Sequence, residues 1–107
     1  LDDVRKMQVL TEKSDLLKTL AHPMRLCILN CLMNHAPCNV TSLTEKMARP
    51  QSTISQHLAK LKAKGIIKGE RNGVEVQYRL VDQKVANLMR LLLDELEENH
   101  LESDDMC

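Results

Sequence analysis

Two sets of side chains in this sequence have the types and spacing to do chemistry. The first is the run Gln51-Ser52-Thr53-Ile54-Ser55-Gln56-His57, followed by Lys60, Lys62 and Lys64. A glutamine amide can pair bidentately with an adenine edge, and serine and threonine hydroxyls reach bases or phosphate oxygens. The lysines suit phosphate contact, and Arg71 and Asn72, near an Asn-Gly turn signal, could extend the same surface. Read more plainly, the run is a polar surface helix rich in small hydroxylic residues. The second set is thiols. Cys27 and Cys31 are four residues apart and His35 follows after four more. At helical spacing this is one stripe, expected opposite the core residues Leu29 and Leu32. Such a stripe could hold a soft metal (Zn, Cd or As) or act as a redox pair. It could also be a set of small surface or interface residues with no sensing role. Parallel Cβ vectors disfavour a bridge within the helix, whereas pairing with Cys38 or Cys107 would relax that constraint.

Charge separates these functions further. The 107 residues carry 15 basic and 15 acidic side chains, yet residues 46–80 sum to +6 and residues 81–107 to −6. A basic block of this kind is the footprint expected for phosphate contact. With Tyr78 as the only aromatic residue, base stacking on an aromatic platform is not the expected way of holding RNA or single strands. No apolar run reaches membrane-spanning length, and Leu1–Leu10 lacks a signal-peptide core. The expected location is therefore the cytoplasm. No nucleophile triad, phosphate-cradling glycine loop or catalytic carboxylate pair stands out, so no enzyme activity and no cofactor are expected.

The elements that must position these residues follow from apolar spacing and breakers. A first helix is expected over about 8–20, with Ser14 and Asp15 as a local cap. His22-Pro23 interrupts it, and Pro23 suits the first position of a second helix, about 23–34. Asn39 can cap a third helix, about 40–48, and Arg49-Pro50 breaks into a fourth, about 51–64, held by Ile54, Leu58 and Leu61. Gly65 suits a left-handed helix terminus. Ile66–Arg71 and Val74–Leu80 flank Asn72-Gly73, the sequence of a two-residue type I′ turn, with Val74, Val76, Tyr78 and Leu80 alternating onto one face. A last helix is expected over 82–99, followed by an acidic tail at 100–107. Leu88, Leu92 and Leu96 fall on an apolar arc of the last helix too wide for one side of a small domain, which points to a partner helix, and Leu16 and Leu17 are the candidates on the first helix. The whole is one domain, mainly α with a small β-hairpin, in the order α-α-α-α-β-β-α: a helix-turn-helix over 40–64 with a wing over 66–80.

Leu20-Ala21-His22-Pro23-Met24-Arg25-Leu26, Gln51-Ser52-Thr53-Ile54-Ser55-Gln56-His57-Leu58, Gly65-Ile66, Asn72-Gly73 and Tyr78 together resemble the ArsR/SmtB family of bacterial winged-helix repressors, over roughly residues 14–98. The resemblance implies a homodimer joined by the first and last helices, bound to an imperfect inverted repeat in duplex DNA and usually released by an inducer. It also removes options. The family's metal site between the last helices would fall at Asp82, Lys84, Glu95 and Glu98, where both histidines are missing and an ammonium replaces a neutral nitrogen ligand. The site built on two third-helix cysteines is missing as well, since Cys38 only precedes that helix. The family's thiol-switched members pair cysteines at positions that fall at Asn30 and near Glu97 here, so Cys27, Cys31 and Cys107 are displaced candidates.

The resulting expectation is a cytoplasmic, bacterial, homodimeric DNA-binding repressor, responsive to thiol oxidation by reactive sulfur or peroxide. Gln51, Ser52, Thr53, Ser55, Gln56, His57, Lys60, Lys62, Arg71 and Asn72 would meet the DNA. Two alternatives are a thiolate-metal repressor using Cys27, Cys31 and His35, and a winged-helix protein-interaction module with no DNA role.

Overall fold

The computed structural model describes residues 2–98. Cys107 and the acidic tail lie outside them. The elements are α1 (Asp3–Leu20), α2 (Pro23–His35), α3 (Val40–Met47), α4 (Gln51–Ala63), β1 (Ile67–Asn72), β2 (Glu75–Leu80), α5 (Gln83–Leu92) and α6 (Asp94–Glu98).

Each helix start has a local cause. Asp2 caps α1, its carboxylate accepting the Arg5 amide at 2.8 Å. The helix therefore begins well before residue 8, and Ser14 and Asp15 lie inside it rather than capping it. His22 caps α2 by accepting the Met24 amide on Nδ1 at 3.2 Å, with Pro23 at a position whose missing N–H costs nothing. Asn39 caps α3 through Ser42, at 2.8 Å. Asp82 caps α5 through Val85, at 3.1 Å. The single last helix expected over 82–99 is in fact two, because α5 ends at Leu92 with Leu93 as its cap, and α6 restarts at Asp94.

The hairpin is antiparallel, with Asn72 paired to Glu75, so its two loop residues are Gly73 and Val74. Only Gly73 there has a positive φ, of 69°. That is the pattern of a turn with glycine first, not the Asn72-Gly73 turn read from the sequence. Val74 consequently lies outside the strand and is 95% exposed. A pairing that the sequence did not suggest ties the hairpin to the body. Cys38 and Tyr78 exchange both backbone hydrogen bonds, at 3.1 and 2.7 Å.

The core is built around α2. Ile28, Leu29 and Leu32 are buried together with Leu43 and Met47 of α3, Ile54, Leu58 and Leu61 of α4, Ile66 and Ile67 before and within β1, and Val85 and Met89 of α5. Each such side chain contributes about 1.5–3 kcal/mol on burial. Helix α1 stands apart from this core: only Thr19 and Leu20, at its end, are buried.

Candidate nucleic-acid interface

The break between α3 and α4 is made by backbone shape. Ala48 closes α3 in the left-handed conformation, φ 52° and ψ 46°, and its amide donates to the Thr44 carbonyl at 2.9 Å. A residue with a Cβ is strained there by about 1–2 kcal/mol. Arg49 spans the turn, its guanidinium donating to the carbonyls of Met47 and Ala48 at 3.4 and 3.3 Å. Pro50 then starts α4, whose first amides have no side-chain cap.

Ile54, Leu58 and Leu61 anchor α4 in the core, and this anchoring decides what faces outward. Gln51, Ser52 and Gln56 are exposed on its first two turns, while Thr53, Ser55 and His57 are half-buried. Lys60, Lys62 and Lys64 are exposed on the second half. The outer surface of α4 therefore presents amides and hydroxyls first and cations behind them, the order needed by a helix entering a groove by its N-terminal end. Arg71 and Asn72 are exposed near the tip of the hairpin. Farther back, Arg79 lies 3.9 Å from Glu70 with both side chains about half-exposed, an ion pair of little energetic consequence.

Behind α4 lies a connection that the sequence reading did not find. The Arg25 Nε donates to His57 Nδ1 at 3.2 Å, and its Nη1 donates to the Thr19 carbonyl at 3.0 Å. The rings of His22 and His57 are 4.5 Å apart. Burial, then the charges of His22, Arg25 and Lys60, hold the His57 imidazole below its ordinary range. A neutral ring that accepts on Nδ1 carries its proton on Nε2. The partners Arg25 and His57 are 32 residues apart, and no local pattern announces such a pair.

The thiols are not arranged as the stripe predicted. Cys31 is fully buried within the core, on the same side as Ile28 and Leu32 rather than opposite them. It is disulfide-bonded. Cys27 is half-buried and retains its thiol, as does the buried Cys38. Burial pushes the Cys27 thiol up against the opposing effect of Arg49. Burial raises that of Cys38 too, opposed by Lys46 and the Ser42 hydrogen bond. Both are thereby less nucleophilic at neutral pH. His35 is exposed at the end of α2, and among the described residues no group of three or more His, Cys, Asp or Glu side chains could hold a metal ion. The Cys27–Cys31–His35 ligand set is not assembled, because helical phase turns Cys31 inward.

The apolar faces expected at an interface are present and larger than expected. Leu17, Leu92 and Leu96 are 54%, 52% and 47% exposed, whereas Leu16 and Leu88 are partly buried against the core. Val4 and Met7, near the start of α1, are also exposed; they fall before the expected helix start and so were missed. No described helix is long and apolar enough to cross a membrane.

An anchored second helix, a three-residue break and a two-stranded wing define a winged helix-turn-helix regulator. Residues 22–68 match the family described as "Bacterial regulatory protein, arsR family". The chain is 45% identical over 83 residues to the transcriptional repressor PagR of Bacillus anthracis, covering 78% of this chain and 83% of that one. It is 40% identical over 82 residues to the transcriptional repressor SmtB of Mycobacterium tuberculosis, covering 77% of this chain and 60% of that one. The crystal structure of PagR superposes with a TM-score of 0.73 at 43% identity, covering 80% of this chain and 98% of PagR. A homodimeric winged helix-turn-helix DNA-binding domain from Mycobacterium bovis gives 0.76 at 29% identity, covering 95% and 92%. This chain belongs to the arsR family of bacterial regulatory proteins.

Proposed function

We propose that two copies of this chain form a homodimer that binds an imperfect inverted repeat in double-stranded DNA and represses transcription by covering a promoter. The observation that carries this reading is the outer surface of α4, where exposed Gln51, Ser52 and Gln56 precede exposed lysines on a helix anchored by Ile54 and Leu58. Each α4 enters a major groove, with the two half-sites ~34–36 Å apart, and each hairpin lies against the flanking backbone. Support for the dimer comes from α1, which buries only its last two residues in the protomer, and from the exposed leucines of α5 and α6. The homodimeric domain from Mycobacterium bovis has the same fold.

The test is fluorescence anisotropy on the duplex upstream of the protein's own coding sequence. Gln51→Ala and Gln56→Ala each remove about 1–3 kcal/mol of discrimination per lost base contact. Lys62→Ala weakens all sequences alike. Equal, salt-insensitive affinity for every duplex, or none, would leave a protein-interaction module instead.

We further propose that thiol oxidation, by peroxide or reactive sulfur, controls this binding through Cys31. What supports this is the oxidised state of Cys31 combined with its position among the core residues of α2, where a change at sulfur alters the packing beneath the helix-turn-helix. Operator affinity should change when dithiothreitol reduces the wild type and return on reoxidation with peroxide, and should do neither in Cys31→Ser. A change that persists in Cys31→Ser would overturn this part alone.

A further inference from the structure

A cleft of about 330 Å³ opens between the end of α1, the first turn of α2 and the second half of α4, lined by Lys18, Thr19, Arg25, Lys60, Ala63 and Lys64. Four of these six carry positive charge, and they come from three separate helices. Among the described residues, no acidic side chain lines the cleft. A cleft lined by four cations focuses positive potential and draws an anion toward it. Arg25 is also fixed in place: its bonds to His57 Nδ1 and the Thr19 carbonyl hold the guanidinium between α1 and α4. Among the described residues, two of its five N–H donors are used in this way. Thr19 is itself held, its hydroxyl donating to the Asp15 carbonyl at 3.0 Å.

We propose that this cleft is a phosphate seat that takes a backbone phosphate of the DNA read by α4, using Lys18 and Arg25 together with Lys60 and Lys64. This rests on the proposed DNA-binding function and extends it to α1 and α2. Lys60 and Lys64 stand one and two turns beyond Gln56 on α4, or about 6 and 12 Å along the axis. A helix that enters the groove N-terminus first carries those turns outward past the sugar–phosphate strand. A phosphate there is met by α4 on one side and by the α1–α2 junction on the other. The seat thereby ties recognition-helix docking to the base of α1, the helix whose exposed face serves the dimer.

The experiment measures operator affinity against NaCl concentration for wild type, Lys18→Ala, Lys64→Ala, the double variant and the control Lys13→Ala. One lost phosphate contact lowers the slope of log K against log salt by about 0.9, which is about fivefold in affinity at 0.15 M salt. Lys18→Ala and Lys64→Ala should each show a large part of this loss, and the double variant little more, since both lysines hold one phosphate. Replacing operator phosphates singly by neutral methylphosphonate should reveal one position that weakens the wild type and not the double variant. Lys13→Ala should match the wild type. An unchanged slope in both Lys18→Ala and the double variant overturns the seat while leaving groove recognition intact. Wild type that binds no duplex at all overturns the underlying DNA reading instead. Calorimetric titration with inorganic pyrophosphate separates the remaining source: binding that Lys18→Ala abolishes, with DNA slopes unchanged, would assign the cleft to a free phosphorylated ligand and refute the backbone contact.

Discussion

Gly69→Ala is expected to loosen the wing, and the size of the effect follows from the geometry. Gly69 pairs with Tyr78 across the hairpin. A Cβ at residue 69 would lie 2.8 Å from Val76 Cγ1, and 2.9 and 3.3 Å from Cε1 and Cδ1 of Tyr78. Carbon atoms prefer about 3.5–4.0 Å, so something must move. Val76 is β-branched and stiff at χ1. Tyr78 is held on both sides, by β1 and by its two backbone bonds to Cys38, and its ring packs on the core. Overpacking of this kind costs about 1–3 kcal/mol. Alanine recovers about 0.4–1 kcal/mol by restricting the unfolded chain. The net expectation is a destabilisation of about 1–2 kcal/mol. With a urea dependence of about 2 kcal/mol per molar, the middle of the usual range, the unfolding midpoint should fall by roughly 0.5–1 M. The assay is urea unfolding followed by far-ultraviolet circular dichroism, at one fixed protein concentration because the proposed dimerisation would shift apparent stability. In a Val76→Ala background the loss should shrink, since the nearest clashing atom is gone. An unchanged or higher midpoint in the single variant would falsify the steric account of Gly69.

Ala48→Gly should raise stability by about 0.5–1 kcal/mol, because relief of left-handed strain of about 1–2 kcal/mol outweighs a glycine entropy cost of about 0.5–1 kcal/mol; a lower urea midpoint would contradict this. The depressed basicity of His57 gives a signed pH effect. Below about pH 6.5 the unfolded chain takes up a proton that the folded ring resists, so this contribution to stability is complete at higher pH and is lost as pH falls. His57→Gln should therefore lose less stability than wild type between pH 7.5 and 5.5, and equal losses would remove His57 from the account. Leu92→Asp places a carboxylate on the exposed face of α5 and should convert the proposed homodimer to monomer in sedimentation velocity. A dimer of unchanged mass would move the interface elsewhere.

Much of the fold could be read from the sequence because its signals are local. Pro23, Asn39, Pro50 and Gly65 punctuate the chain through fixed backbone preferences. The spacing of Ile54, Leu58 and Leu61 alone specifies which side of α4 is buried, and hence that Gln51, Ser52 and Gln56 face outward. Where a local signal was shared between two solutions, tertiary pairing chose. The Gly73 turn follows from strand register, which Cys38 helps to fix through Tyr78 from 40 residues away. Cys31 shows the limit of periodicity: a cysteine suits either side of α2, and the direction it faces depended on where α3, α4 and α5 pack. The sequence, then, determined the helices, their order and the polar lead of α4, since backbone preference and apolar spacing act over a few residues. Only the tertiary structure brought Lys18 and Arg25 beside Lys60 and Lys64, because a site assembled from three helices leaves no spacing in the chain to read.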